Sequence, residues 1–217
     1  MTVTELLAAS RQALAGAIRA PDVHAAAPAV YRALKPESAA VRNRFCTELW
    51  KSGPWQEWAL ACYVYRRFAR LCGAAEFRLF EGWLNRYVGS WGACDALSTW
   101  LVAACIANYP ELSAALPAWT RSRNRWKRRA AAVALVYEAK RGRSTDRVLE
   151  IAALLIADED DMVQKGLGWL LKETYPKKPR AVMCFLSAHP DAPRLVVRYA
   201  AEKMTAPDRA KVMRRTV

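Results

Sequence analysis

Histidine is nearly absent from this 217-residue chain, which carries only His24 and His189, far apart and in different contexts. A zinc site or a Ser/His or Cys/His nucleophile therefore has little material to work with, and each histidine reads as a loop or helix-end residue. Cysteine is present but unpatterned. Cys46, Cys62, Cys72, Cys94, Cys105 and Cys184 show no C-x-x-C spacing and sit among Ala, Leu, Val and Tyr, as buried free thiols do. That usage implies a reducing compartment and disfavours metal or covalent-thiol chemistry. No apolar run approaches the twenty residues of a membrane span, and the first twenty residues form an interrupted amphipathic pattern with Glu5, unlike a signal peptide. Strand signals are also missing, because no Val/Ile alternation persists for a strand's length.

What is present is apolar, helical and basic. Hydrophobic residues make up 53% of the chain, ample for a sizeable core. Ala- and Leu-rich segments with helical spacing predict an all-α protein, with helices near residues 4–19, 23–33, 38–52, 54–72, 76–86, 94–107, 125–140, 145–156, 160–173, 179–188, 192–204 and 207–214. Breaks such as Pro21-Asp22, Ser52-Gly53-Pro54, Tyr109-Pro110, Leu116-Pro117 and Arg141-Gly142 separate them. A dozen short helices without a long linker read as one domain over residues 1–217, an α-solenoid of HEAT-like pairs, curved, with a basic concave face for an elongated ligand.

Lys and Arg total 34 against 20 Asp and Glu, a net charge of +14, which suits a polyanion such as nucleic acid and opposes self-association, so a monomer is expected. The densest cations are Arg121, Arg123, Arg125, Lys127, Arg128 and Arg129, six of the nine residues over 121–129. If Trp126 marks a buried stripe, Ala130, Val133, Ala134 and Tyr137 share its face, and Arg129 lies about 60° off it. Its stem would pack while the guanidinium reaches out to a phosphate.

Two tryptophans and one acid also fall off their stripes. Val163, Leu167, Leu170, Leu171 and Thr174 define a packed face from which Trp169 stands roughly 120° away, with Lys165 one turn before it. In residues 90–108, Leu97, Trp100, Leu101, Ala104 and Asn108 share a face, while Trp91 and Asp95, at i and i+4, point elsewhere together. A carboxylate placed among cations opposes anion binding, unless the chemistry builds positive charge, as when a glycosidic bond breaks through an oxocarbenium-like transition state. Indole faces attract such a cation.

At these residues the chain resembles the DNA alkylation repair family, the AlkD-like alkylpurine DNA glycosylases. NRWKRRAAAVALVYEAK, then DMVQKGLGWLLKE and VVRYAAEKM, are similar to its W-x-x-R-A-A and Q-K-x-x-G-W-x-L-R-E elements and the basic helix after them. SWGACD resembles its tryptophan-x-x-x-aspartate element. The resemblance covers roughly residues 48–204, with 1–47 as a divergent N-terminal repeat. Gly92 stands where the family has an acidic residue, and Cys94 replaces an apolar neighbour of the aspartate.

The resemblance implies Asp95 as catalytic aspartate, Trp91 and Trp169 as lesion-side tryptophans and Arg129 as a phosphate ligand. Arg128, Lys165 and Lys172 stand at flanking basic positions, as further phosphate contacts. It implies hydrolytic release of cationic N3- or N7-alkylated purines from duplex DNA in the cytoplasm, with no cofactor and no metal. Two readings stay open: this base-excision glycosylase, or a non-catalytic helical-repeat module that binds nucleic acid or protein. The preferred lesion and DNA against RNA are open too.

Overall fold

Short polar side chains set the helix starts in this computed structural model, which describes residues 2–214. Thr2 and Glu5 cap α1 (Val3–Leu14) reciprocally, and Ser38 accepts from the Val41 amide to open α3 (Ala39–Ser52). Gly53 closes α3 with φ +95, a conformation open to glycine at little cost. All described elements are helices or turns, with no strand among the described residues. No described helix is long and apolar enough to cross a membrane.

The chain forms two compact units, Met1–Asn108 and Tyr109–Val217. The first adds α2 (Ala20–Leu34), α4 (Trp55–Tyr65), a 3-10 turn (Arg66–Leu71), α5 (Ala74–Arg86), and α6 (Trp91–Ala96), which runs through a π-helical segment (Leu97–Val102) into α7 (Ala103–Asn108). These pair as α1/α2, α3/α4 and α5/α6. The second helices lie side by side and run parallel. Gln56 donates to the Ala17 carbonyl just before α2, and seven residues on Tyr63 meets His24. Likewise Trp58 lies beside Gly92 and Tyr63 against Trp100. Between the two layers sits an apolar core of Leu34, Phe45, Leu49, Trp50, Leu60, Tyr65, Phe80, Trp83, Leu97 and Leu101.

The second unit opens with a 3-10 turn (Pro110–Ala115) and α8 (Leu116–Trp119), where only breaks are expected from sequence. It continues with α9 (Arg125–Val133), α10 (Val136–Ala139), α11 (Thr145–Leu155), α12 (Asp161–Thr174), α13 (Pro179–Ala188), α14 (Arg194–Ala200) and α15 (Ala206–Met213). Here α9, α12 and α14 pack together through glycines. A Cβ on Gly166 would stand 3.0 Å from Arg129 Cγ, and one on Gly168 would stand 2.5 Å from Tyr199 Cβ and 2.9 Å from the Val196 carbonyl oxygen.

Several sequence expectations shift for identifiable reasons. The helix expected over 125–140 breaks, with the Leu135 amide donating to Ala132 in a tightened turn. That change of phase buries Leu135 and Val136 and turns Tyr137 outward, against the stripe that placed Tyr137 inside. The helix expected over 94–107 starts at Trp91 and contains the π segment. Its buried residues are Ala93, Cys94, Leu97, Ser98, Leu101, Val102, Ala103, Cys105 and Ile106, and all but Ala103 follow a repeat of four and not 3.6, as an inserted π turn produces. Trp100, expected on the packed face, is consequently half-buried, and Asn108 is exposed. Five cysteines are buried as expected, but Cys184 is exposed. His189 ends α13 as expected, whereas His24 sits inside α2.

Candidate functional site

The first unit carries Trp91 and Asp95. Ser90 opens α6 by accepting from the Ala93 amide (3.2 Å), which fixes Trp91 as the first helical residue. Trp91 is 61% exposed, an extreme value for the largest side chain in a chain with so many buried indoles. Asp95 follows one helical turn later on the same face and is half-buried. Directly after it the helix widens into the π segment, and the Thr99 hydroxyl donates to the Asp95 carbonyl (2.7 Å).

Gly92 between them faces a third indole, its would-be Cβ lying 3.8 Å from Trp58 Cη2. Trp58 stacks on Trp50 (5.8 Å, 20°), which stacks on Trp83 (5.8 Å, 30°), so an indole column runs from beside α6 into the core. Trp58 escaped the sequence reading. Its signal was the Trp55–Trp58 pair one turn apart, of which Trp55 is exposed.

The second unit carries Arg129 and Trp169. Arg129 is only 6% exposed, with its stem along Gly166 and Nη1 donating to the Met162 carbonyl (2.5 Å). The guanidinium thus lies along the first turns of α12 instead of reaching into solvent, because Gly166 leaves a channel that any Cβ would narrow. Trp169 is half-buried off the packed face, as its phase requires. Its indole N–H donates to Glu173 (3.3 Å), and Glu173 accepts from Lys203 (2.6 Å). Burial pushes the Glu173 carboxyl up, but the Lys203 hydrogen bond, with the Lys140 charge and the Trp169 N–H, outweighs it and holds the group below its usual range. An ionised carboxylate therefore fixes the plane of Trp169.

The remaining basic candidates are engaged in ion pairs. Arg128 binds Asp158 (2.6 Å) and donates to the Ser122 carbonyl, fastening the start of α9 to the loop before α12. Lys165 pairs with Asp161 and Lys172 with Glu202, each at 2.8 Å. Arg125 bridges Asp160 and Asp161 at 2.9 Å each. Much of the charge over 121–129 is therefore met inside the protein. Among the described residues, no three metal-ligating side chains converge.

Packed helical pairs carrying an exposed indole and one acid on α6 define a helical-repeat protein with a candidate polar site in its first unit. The chain belongs to the DNA alkylation repair enzyme family, whose sequence pattern matches residues 11–204 and so reaches back into α1, well before residue 48. A solved structure titled as a predicted DNA alkylation repair enzyme from Enterococcus faecalis is 16% identical over 87% of this chain and 87% of that one, with a TM-score of 0.79. This likeness shows the fold, an all-α array of the α-solenoid type. No curated protein matches the chain.

Proposed function

We propose that this chain is a DNA glycosylase that excises cationic N3- or N7-alkylated purines from duplex DNA. The observation that carries the reading is Asp95 on one face of α6 with the exposed Trp91, in a chain of net charge +14. The indole would lie against the sugar and the carboxylate would face C1′. In the reaction the C1′–N bond breaks and its electron pair neutralises the purine's positive charge. Water then adds to C1′ and gives up a proton. Asp95 stabilises the oxocarbenium-like sugar and orients that water, an electrostatic role that strengthens as charge develops. In the second unit Trp169 would contact the strand, and Arg129, seated on the Met162 carbonyl, would have to turn outward to hold a phosphate. No cofactor or metal enters this scheme.

The test is base release from duplex containing N7-methylguanine. Asp95→Asn should lower release about 10²-fold or more while duplex binding persists. Release that survives the substitution removes Asp95 from the chemistry. A wild-type protein that binds duplex without releasing base would instead be the non-catalytic helical-repeat module.

A further inference from the structure

His24, which the sequence offered as a helix-end residue, lies inside α2 and faces the next parallel helix. Its ring meets Tyr63 edge-on at 4.9 Å, and Tyr63 lies against Trp100 at 5.2 Å, so α2, α4 and the π segment each contribute one ring to a ladder. At the end of α4 the 3-10 turn presents Arg66 and Arg67 on this ladder's margin. The Arg66 guanidinium lies over Trp100 (5.2 Å) and that of Arg67 over Tyr31 (5.7 Å). His24, Tyr63, Arg66 and Arg67 line an open cavity of about 250 Å³.

Every polar side-chain group on that lining is able to donate a hydrogen bond. Among the described residues, neither arginine has a carboxylate in ion-pair range, and neither the Tyr63 hydroxyl nor the His24 imidazole has a hydrogen-bond partner. This contrasts with Arg125, Arg128, Lys165 and Lys172, whose charges are met by aspartates and glutamates. A guanidinium stacked on a ring keeps its N–H edge available, and two such edges suit a tetrahedral oxyanion. The volume is below the roughly 300–1,000 Å³ of pockets that enclose drug-sized ligands. That size favours a single anionic group over a whole nucleotide.

We propose that this cavity is a phosphate site that seats one phosphodiester of a nucleic-acid strand. The identity of the strand rests on the proposed action on DNA, whereas the anion chemistry does not. The site would add a grip on the first unit that is separate from Trp91 and Asp95.

The experiment measures binding of the full-length protein to undamaged duplex across a range of NaCl concentrations, for wild type, Arg66→Gln/Arg67→Gln and Tyr63→Phe. Both arginines are exposed, so the double variant should fold, and Tyr63→Phe removes only a hydroxyl. Loss of one phosphate contact should make the slope of log K against log salt shallower by about 0.9, with a smaller affinity loss for Tyr63→Phe. In parallel, the His24 imidazole NMR signal should move on adding duplex to wild type and stay put in the double variant. Unchanged slopes would overturn the proposal, as would a His24 signal that responds to inorganic phosphate but not to duplex, the mark of a free-anion site. The two readings fail separately. Base release tests Asp95 without involving the cavity, and the salt slope on undamaged DNA tests the cavity without any chemistry.

Discussion

Two glycines two residues apart in α12 should respond oppositely to the same substitution, because one abuts backbone and the other abuts a functional side chain. Replacing a mid-helix glycine by alanine stabilises a helix by about 1 kcal/mol when nothing obstructs the methyl. At Gly168 the new Cβ would stand 2.5 Å from Tyr199 Cβ and 2.9 Å from the Val196 carbonyl oxygen, so α14 must move as a whole. Overpacking of this kind costs about 1–3 kcal/mol, and contact with main chain argues for the upper end. The net for Gly168→Ala is then about 2 kcal/mol of destabilisation, or roughly 4–8 °C in melting temperature for a chain this long. At Gly166 the Cβ would stand 3.0 Å from Arg129 Cγ and 3.4 Å from Nη1, and a displaced side chain relieves most of that. Gly166→Ala should therefore melt within about 1 kcal/mol of wild type but release N7-methylguanine roughly tenfold more slowly, since small misplacements of positioning groups are expensive. Thermal melts and a single-turnover release assay on both variants decide it. A Gly168→Ala protein as stable as wild type would refute the close crossing of α12 and α14. A Gly166→Ala protein with wild-type release would refute a working role for Arg129.

Arg128→Ala should lower unfolding stability by about 2 kcal/mol, because it strands the largely buried Asp158 carboxylate and loosens the turn at Ser122. An unchanged urea midpoint would sink the structural assignment of Arg128. Glu173→Gln should cost about 1 kcal/mol at neutral pH, discounted for the exposed Lys203 partner. Since the folded-state pKa of Glu173 lies below its ordinary value of 4.5, the wild-type advantage is present above that value and is lost as pH falls through the lowered one. Urea midpoints that differ by the same amount at pH 7 and pH 3 would contradict this linkage.

How much of this was legible in the sequence depended on whether a residue's position was set by local phase or by tertiary partners. Trp169 was legible because α12 is a regular helix, so counting at 100° per residue held from Val163 to Thr174. Trp91 was legible for a similar reason, lying before the π segment. Trp100 and Tyr137 were misplaced because each follows a change of helical pitch, and neither a π turn nor a 3-10 step leaves a composition signature. The packing of the Arg129 stem was readable, but the direction of its guanidinium was not, since it depended on the Met162 carbonyl of another helix and on the space left by Gly166. The ring ladder on α2, α4 and the π segment was illegible, since it joins residues 24, 63 and 100 through three parallel helices.

The same distinction bears on where the positive charge acts. A run of cations in sequence measures how many charges are near one another along the chain, not how many lack a counter-charge. Over 121–129 the run meets the acidic run Asp158, Asp160 and Asp161 across the α9–α12 packing, so Arg125 and Arg128 are partly discharged before any ligand arrives. The pair Arg66 and Arg67 is shorter and unremarkable in sequence, yet it rests on aromatic faces that leave the cationic charge unneutralised. If binding follows counterion release, the salt slope should be more sensitive to Arg66 and Arg67 than to Arg125 and Arg128. The denser cluster should register in the melting curve first. An equal loss of slope from the two pairs would mean that the aspartates yield their arginines to DNA, and that ion pairing in the unliganded protein does not decide which cations grip the strand.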